Sequence, residues 1–188
     1  QILNTDIAFH KVDCTDLNEM QNIFETYKDI YACIHFAAYK SVGESVENPK
    51  KYYKNNIGST EVLLKCLEKN KFKNLIFSSS CTVYGMPDAL PVNEDAPFKK
   101  AESPYGETKQ QCEILISKNL CNSISLRYFN PIGSHDSGLI GNCSSDNANN
   151  LVPIVTEVAC GIRDKLIVNG NDYNTHDGTC IRDYIHVQ

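Results

Sequence analysis

Tyr105 and Lys109 stand four residues apart in SPYGETK, residues 103–109. On a helix they share one face, which brings a lysine ammonium towards a phenol. A phenol with an ordinary pKa of about 10 is a poor base at neutral pH, and a nearby cation favours its anion. The chemistry on offer is proton exchange with a substrate oxygen. Alone, the pair says little. Ten tyrosines and fifteen lysines in 188 residues give about one such pair by chance, and a solvated helix face explains it as well. A third element sits upstream, in FSSSCTVYG (77–85), where an apolar run ends in three serines. A hydroxyl at a strand end can hand protons between substrate and tyrosinate, although serines also merely cap strands. The order strand, serine, Tyr-x-x-x-Lys helix is much harder to obtain by accident than the pair.

The elements that must position these groups follow from periodicity. IAFHKVD (7–13) alternates like a strand. TDLNEMQNIFETYK follows as a helix, with Thr15 or Asp16 as N-cap and Leu17, Met20, Ile23, Phe24 and Tyr27 at helical spacing. The unit repeats: YACIHFAA as strand, YYKNNIGSTEVLLKCLEKN as helix, NLIFSSS as strand, YGETKQQCEILISKNL as helix and SISLRYF as strand. After a Gly, Ser and Asn-rich loop, LVPIVTEVACG reads as a helix and KLIVNG as a strand. Buried strands alternating with helices predict a Rossmann-like parallel sheet with helices on both faces. Ligands are then expected beyond the carboxyl ends of the strands. None of the ten glycines forms the G-x-G-x-x-G turn that opens a dinucleotide-binding sheet. Gly138 and Gly141 lie in the irregular loop and are rejected as a phosphate cradle.

Composition narrows the partners. With 41% hydrophobic and 22% charged residues, and a net charge of −5 of mixed signs, the chain reads as a globular domain. It offers no basic tract for nucleic acid or an anionic membrane. No apolar run approaches the roughly 18 residues of a transmembrane helix. Nine cysteines, an odd number without a C-x-x-C pair, predict free thiols in a reducing, cytoplasmic compartment. The five histidines are as scattered, so no metal is expected. NCS at 142–144 matches a glycosylation acceptor and is read as chance.

The segments IHFAAYKSVGESVENP, YYKNNIGST, FSSSCTVYG, SPYGETK, LRYFNPIG, NNLVP and GNDYNTHDGTCIRDYIHV together resemble, in order and almost end to end, the extended short-chain dehydrogenase/reductase family. Within it they are most similar to the branch of UDP-glucose 4-epimerases. Nucleotide-sugar dehydratases fit less well, since an Asp-Glu pair is expected where this chain has Cys81 and Thr82. The resemblance implies NAD as cofactor and UDP-glucose and UDP-galactose as substrates. Tyr105 would be the base, Lys109 would lower its pKa and bond the nicotinamide ribose, and Ser80 would relay the proton. Asp13 and Cys14 would lie beside the adenine. Phe36, Ala37, Ala38 and Lys40 would line the cofactor, with Asn55 nearby and Phe129 against the nicotinamide. Asn130, Asn150, Leu151, a strand of Ile167, Val168 and Asn169, and Arg182 would hold the UDP-sugar. Simpler readings stand beside these: Phe36 and Phe129 as core aromatics, Asn150 as a helix cap, Arg182 paired with Asp183. In the implied reaction, C4 is oxidised to a ketone, the sugar turns over while UDP stays anchored, and hydride returns to the other face.

Against that family the chain is expected to be an internal fragment. It lacks the first βαβ unit, with residues 1–133 a partial NAD-binding domain and 134–188 the start of a smaller UDP-sugar-binding part. The complete enzyme is expected to be a homodimer, and these 188 residues alone to be inactive, weak in holding NAD and prone to self-association. A non-catalytic nucleotide-sugar-binding or interaction module, or another NAD-dependent nucleotide-sugar epimerase or dehydratase, are the alternatives.

Overall fold

Asp16 begins the first helix by accepting hydrogen bonds from Asn18 N (2.8 Å) and Glu19 N (3.0 Å), a cap worth about 1 kcal/mol. The computed structural model describes residues 5–119, 121–140 and 150–188. The chain forms two compact units, one of Asp6–Tyr128 and one built mainly of Phe129–Gln188.

In the first unit the order is α1 (Leu17–Thr26), β1 (Cys33–His35), α2 (Val42–Glu47), α3 (Pro49–Tyr52), a π-helical segment (Tyr53–Ile57), α4 (Gly58–Asn70), β2 (Asn74–Ser80), a 3₁₀ turn (Cys81–Tyr84), α5 (Pro104–Ser117) and β3 (Asn122–Tyr128). The three strands pair in parallel, in the order β1-β2-β3, with Cys33 opposite Leu75 and Leu75 opposite Ser123. Alternation decides what each face meets. Leu75 and Phe77 are buried in a cluster with Phe24 of α1, Val62, Leu63 and Leu67 of α4, and Cys112 and Ile116 of α5. Burying each of the larger of these side chains contributes about 1.5–3 kcal/mol. Ile34, Ile76 and Ile124 sit in one register row pointing the other way, and Ile34 and Ile124 are exposed.

The second unit contains β4 (Asn130–Ile132), α6 (Leu151–Ala159) and β5 (Tyr184–His186), with β4 and β5 paired in parallel. The alternation of parallel strands and helices expected from the sequence is thus what forms. Two expected strands do not. Residues 7–13 and 165–170 carry no strand, because among the described residues neither segment has another strand hydrogen-bonded beside it: Ile7, Phe9, Ile167 and Val168 are 69%, 85%, 68% and 62% exposed. The helix expected through Tyr52–Asn70 is interrupted by the π segment. The glycosylation-like triplet at 142–144, with Cys143, and Gly141 lie outside the described residues. No helix among the described residues is long and apolar enough to cross a membrane, and no cluster of His, Cys, Asp or Glu among them could hold a metal.

Candidate active site

Parallel pairing puts the carboxyl ends of β1 and β2 on the same edge of the sheet. β1 runs out into Phe36–Lys40 and β2 into Ser78, Ser79 and Ser80. The Ser80 hydroxyl caps the 3₁₀ turn, accepting from Thr82 N at 3.3 Å. Ser103 caps α5 in the same way, accepting from Gly106 N at 3.1 Å, with Pro104 preset for the first helical turn. Gly106 lets that turn close on the 3₁₀ turn, since a Cβ there would stand 3.3 Å from the Thr82 carbonyl oxygen. Gly85, at φ 59°, takes a conformation that suits glycine, and a Cβ there would meet the Lys100 carbonyl oxygen at 2.5 Å.

Tyr105 is therefore carried to Ser80 from the first turn of α5, and Lys109 follows one turn later on the same face. The Lys109 ammonium is buried. It donates to the Ser78 carbonyl at 2.6 Å and stands 4.8 Å from the Phe77 ring centroid and 5.8 Å from that of Tyr105. Burial depresses its pKa to about 8, against the pull of Cys112 and Glu113. Burial also raises the Tyr105 phenol, and a hydrogen bond from the Ser80 side chain opposes that rise. The spacing thus brings the couple together as expected. The phenol is not lowered, however: desolvation is its largest influence, and the ammonium's direct acceptor is the Ser78 carbonyl.

Beside this end of the sheet a cleft of about 280 Å³ is lined by Val12, Asp13, Cys14, Ala37, Ala38, Tyr39, Asn55 and Ser59. The Asp13 carboxylate at its rim accepts from Thr15 N and Thr15 Oγ1, both at 2.8 Å, and these bonds hold its pKa down. Burial raises the Cys14 thiol. Five residues proposed from the sequence are gathered here: Asp13, Cys14, Ala37, Ala38 and Asn55. Phe36, 63% exposed, and Lys40 do not line the cleft. Val12, Tyr39 and Ser59 were missed, although Tyr39 lies inside the segment that supplied its neighbours. Asn56, also missed, fixes Tyr39: it accepts from Tyr39 N at 2.9 Å, and its amide donates to Tyr39 O at 3.0 Å and Thr108 Oγ1 at 3.2 Å. It sits in the π segment, a feature frequent at functional sites.

The second unit holds the other proposed residues. Phe129 is 38% exposed, so it is not a core aromatic, and neither is Phe36. Asn130 donates to the Asp183 carbonyl at 2.8 Å, and Arg182 donates to the Ile181 carbonyl at 2.9 Å. Asn150 occupies the N-cap position of α6 without a side-chain capping bond, and Leu151 is half exposed. Ile167, Val168 and Asn169 are exposed and irregular rather than in the expected strand.

His35, at the end of β1, is buried against Phe77 and shares a hydrogen bond with Thr60 Oγ1 (3.2 Å). Burial, then the Lys109 charge, lowers its pKa to about 4. Between pH 6.5 and 4 the unfolded chain binds the proton more readily, so stability should fall as pH drops through that window, by roughly 3 kcal/mol from this group. Urea denaturation at a series of pH values should show His35→Gln losing less stability than the parent across the same interval. Equal losses would remove His35 as the cause.

The chain matches the NAD dependent epimerase/dehydratase family over residues 2–188. It is 50% identical over 192 residues to the UDP-glucose 4-epimerase of Dictyostelium discoideum, an alignment covering 99% of this chain and 55% of that protein. It is 45% identical to the Homo sapiens UDP-glucose 4-epimerase, over 100% of this chain and 55% of the relative. The crystal structure of UDP-glucose 4-epimerase from Bifidobacterium longum in complex with NAD+ and UDP superposes with a TM-score of 0.93 at 42% identity, covering 99% of this chain and 57% of that one. The Rossmann-like reading of the sheet agrees with that likeness. The chain spans about half the length of the curated relatives it matches.

Proposed function

The chain belongs to the NAD dependent epimerase/dehydratase family, and on that basis we propose that it supplies the acid–base couple and the cofactor cleft of a UDP-glucose 4-epimerase. The observation that carries this is the meeting of Ser80, Tyr105 and Lys109 at the strand edge that also bears the cleft. Tyr105 exchanges the proton of the sugar's 4-hydroxyl, Ser80 passes it between substrate oxygen and phenol, and Lys109 supplies the positive charge that favours the phenolate. NAD, when bound, supplies a hydride acceptor and donor at C4.

The cleft suits one end of a dinucleotide. It is near the lower limit of ligand pockets in size, its alanines leave room for a flat ring, and Asp13 presents an oriented, charged acceptor. Asp13 and Cys14 are assigned to the adenosine side; Phe36, Ala37, Ala38, Lys40, Asn55 and Phe129 to the rest of the cofactor. Asn130, Asn150, Leu151, Ile167, Val168, Asn169 and Arg182 are assigned to the UDP-sugar, Arg182 because a guanidinium suits a diphosphate. Residues 1–133 then form the cofactor part and 134–188 the sugar-nucleotide part of a cytoplasmic homodimer.

The test joins the chain to the flanking segments of the Dictyostelium discoideum relative and follows conversion of UDP-galactose to UDP-glucose with NAD. Conversion is expected, and a folded, NAD-loaded chimera that converts neither sugar would overturn the reading. In the same protein Ala38→Trp should fill the cleft. Overpacking costs about 1–3 kcal/mol, so NADH affinity, read by fluorescence titration, should fall by about 5- to 150-fold. Unchanged affinity would move the cofactor elsewhere.

A further inference from the structure

Among the described residues Glu113 is the one buried carboxylate and Lys109 the one buried lysine, and they lie one turn apart on the inner face of α5. The Glu113 carboxylate accepts from the Ser79 hydroxyl, from Arg127 Nε at 3.1 Å and from Arg127 Nη2 at 2.8 Å. Ser79 and Arg127 are direct register partners on β2 and β3, so one carboxylate spans two adjacent strands. Arg127 then reaches outward. Its Nη1 donates to the Tyr84 hydroxyl at 3.0 Å and to the Glu94 carbonyl at 2.9 Å, and its guanidinium lies 4.9 Å from the Tyr84 ring and 5.2 Å from the Phe98 ring. The segments that set the catalytic geometry therefore meet at one ion pair: the strand residue preceding Ser80, the turn following it, and the helix bearing Tyr105 and Lys109.

Fold stability alone does not account for such a pair, since buried ion pairs are often replaced by apolar residues of similar size without loss. We propose that Glu113, oriented by Arg127, is a positioning residue that fixes Ser80 against Tyr105 through Ser79 and holds Lys109 as a cation one helical turn away. The surroundings of Lys109 single it out. From α5 they are Tyr105, Cys112 and Glu113; from β2, the Phe77 ring and the Ser78 carbonyl; from β1, His35. Burial keeps Tyr105 and Cys112 protonated at neutral pH and His35 uncharged. Glu113 is the negative charge of the set, opposing the desolvation that lowers the ammonium.

The role rests on reading Tyr105 and Lys109 as the acid–base couple, and its test separates the two ideas. With ¹³Cε-labelled lysine in this chain, the Lys109 resonance is identified by its loss in Lys109→Met and titrated by NMR. Glu113→Gln should move its midpoint down by about one pH unit. Glu113→Gln with Arg127→Met, a neutral pair that leaves no charge buried alone, should move it in the same direction by a smaller amount, since a positive charge is removed with the negative one. In the chimeric enzyme each variant should move the basic limb of the pH–rate profile as far as it moves the midpoint and lower kcat at pH 7.5, Glu113→Gln about tenfold, with KM for UDP-galactose nearly unchanged. An unmoved midpoint in a folded variant overturns the proposal, even if activity falls. Failure of both variants to melt cooperatively also counts against it, because a neutral pair should fold. A moved midpoint with an unmoved limb leaves the clamp standing and counts against the couple.

Discussion

Tyr105→Phe is expected to lower sugar conversion by about 10²- to 10⁴-fold, the usual contribution of a positioned acid–base group, while UDP affinity stays nearly unchanged. The substitution keeps the ring where the first turn of α5 packs against the 3₁₀ turn and removes only the hydroxyl. That hydroxyl is the atom joined to Ser80, so its loss leaves the serine without a proton acceptor. The effect should fall on kcat, because a group acting in the transition state and not in binding lowers kcat and kcat/KM together. Steady-state kinetics on the chimeric enzyme, with UDP titration calorimetry, separates the two. Turnover equal to the parent would end the assignment of Tyr105 as the base.

What the sequence disclosed and what it withheld follow one physical division. Local signals were legible: the start of α1 at Thr15 or Asp16, the helix of α5 from Tyr105 onward, and the apolar runs of β2 and β3. Residues 7–13 and 165–170 have strand-like patterns too, yet a strand exists only where another supplies its hydrogen bonds, and alternation does not report that partner. The π segment leaves no periodic mark, since it shifts hydrogen bonds without changing residue types. In the site, spacing pointed to Tyr105, Lys109 and the strand end of three serines, while Ser80 among them, and Asp13, Ala37 and Ala38, came only from the family resemblance. Glu113 and Arg127 remained hidden because a glutamate on a helix and an arginine on a strand each look solvated alone. Only the packing of α5 on β2 and β3 shows Glu113 buried and paired with a half-buried Arg127.

Lys109→Met should be most damaging near neutral pH and progressively less so above pH 8. The sign follows from the ammonium's pKa of about 8, set chiefly by burial. At pH 7 the parent carries this charge beside the phenol and the variant does not, so the variant must ionise a phenol that burial has already raised. A deficit of about 10²- to 10³-fold is expected there, comparable to the loss of one charge-stabilising group in a water-poor site. Above pH 8 the parent loses the proton from Lys109 and with it the advantage, while the phenol of the variant ionises more fully as pH rises. The two profiles should therefore converge on the basic side. Methionine retains the length and packing against Phe77, and loses the bond to the Ser78 carbonyl along with the charge. Lys109→Arg provides the control for that bond, since it keeps a cation whose protonation does not change across this range. It should keep most of the parent's activity at pH 7, and above pH 8, where the parent alone loses its charge, its activity relative to the parent should rise. A constant ratio of Lys109→Met to parent activity from pH 6.5 to 9.5 would show that the lysine acts by position alone.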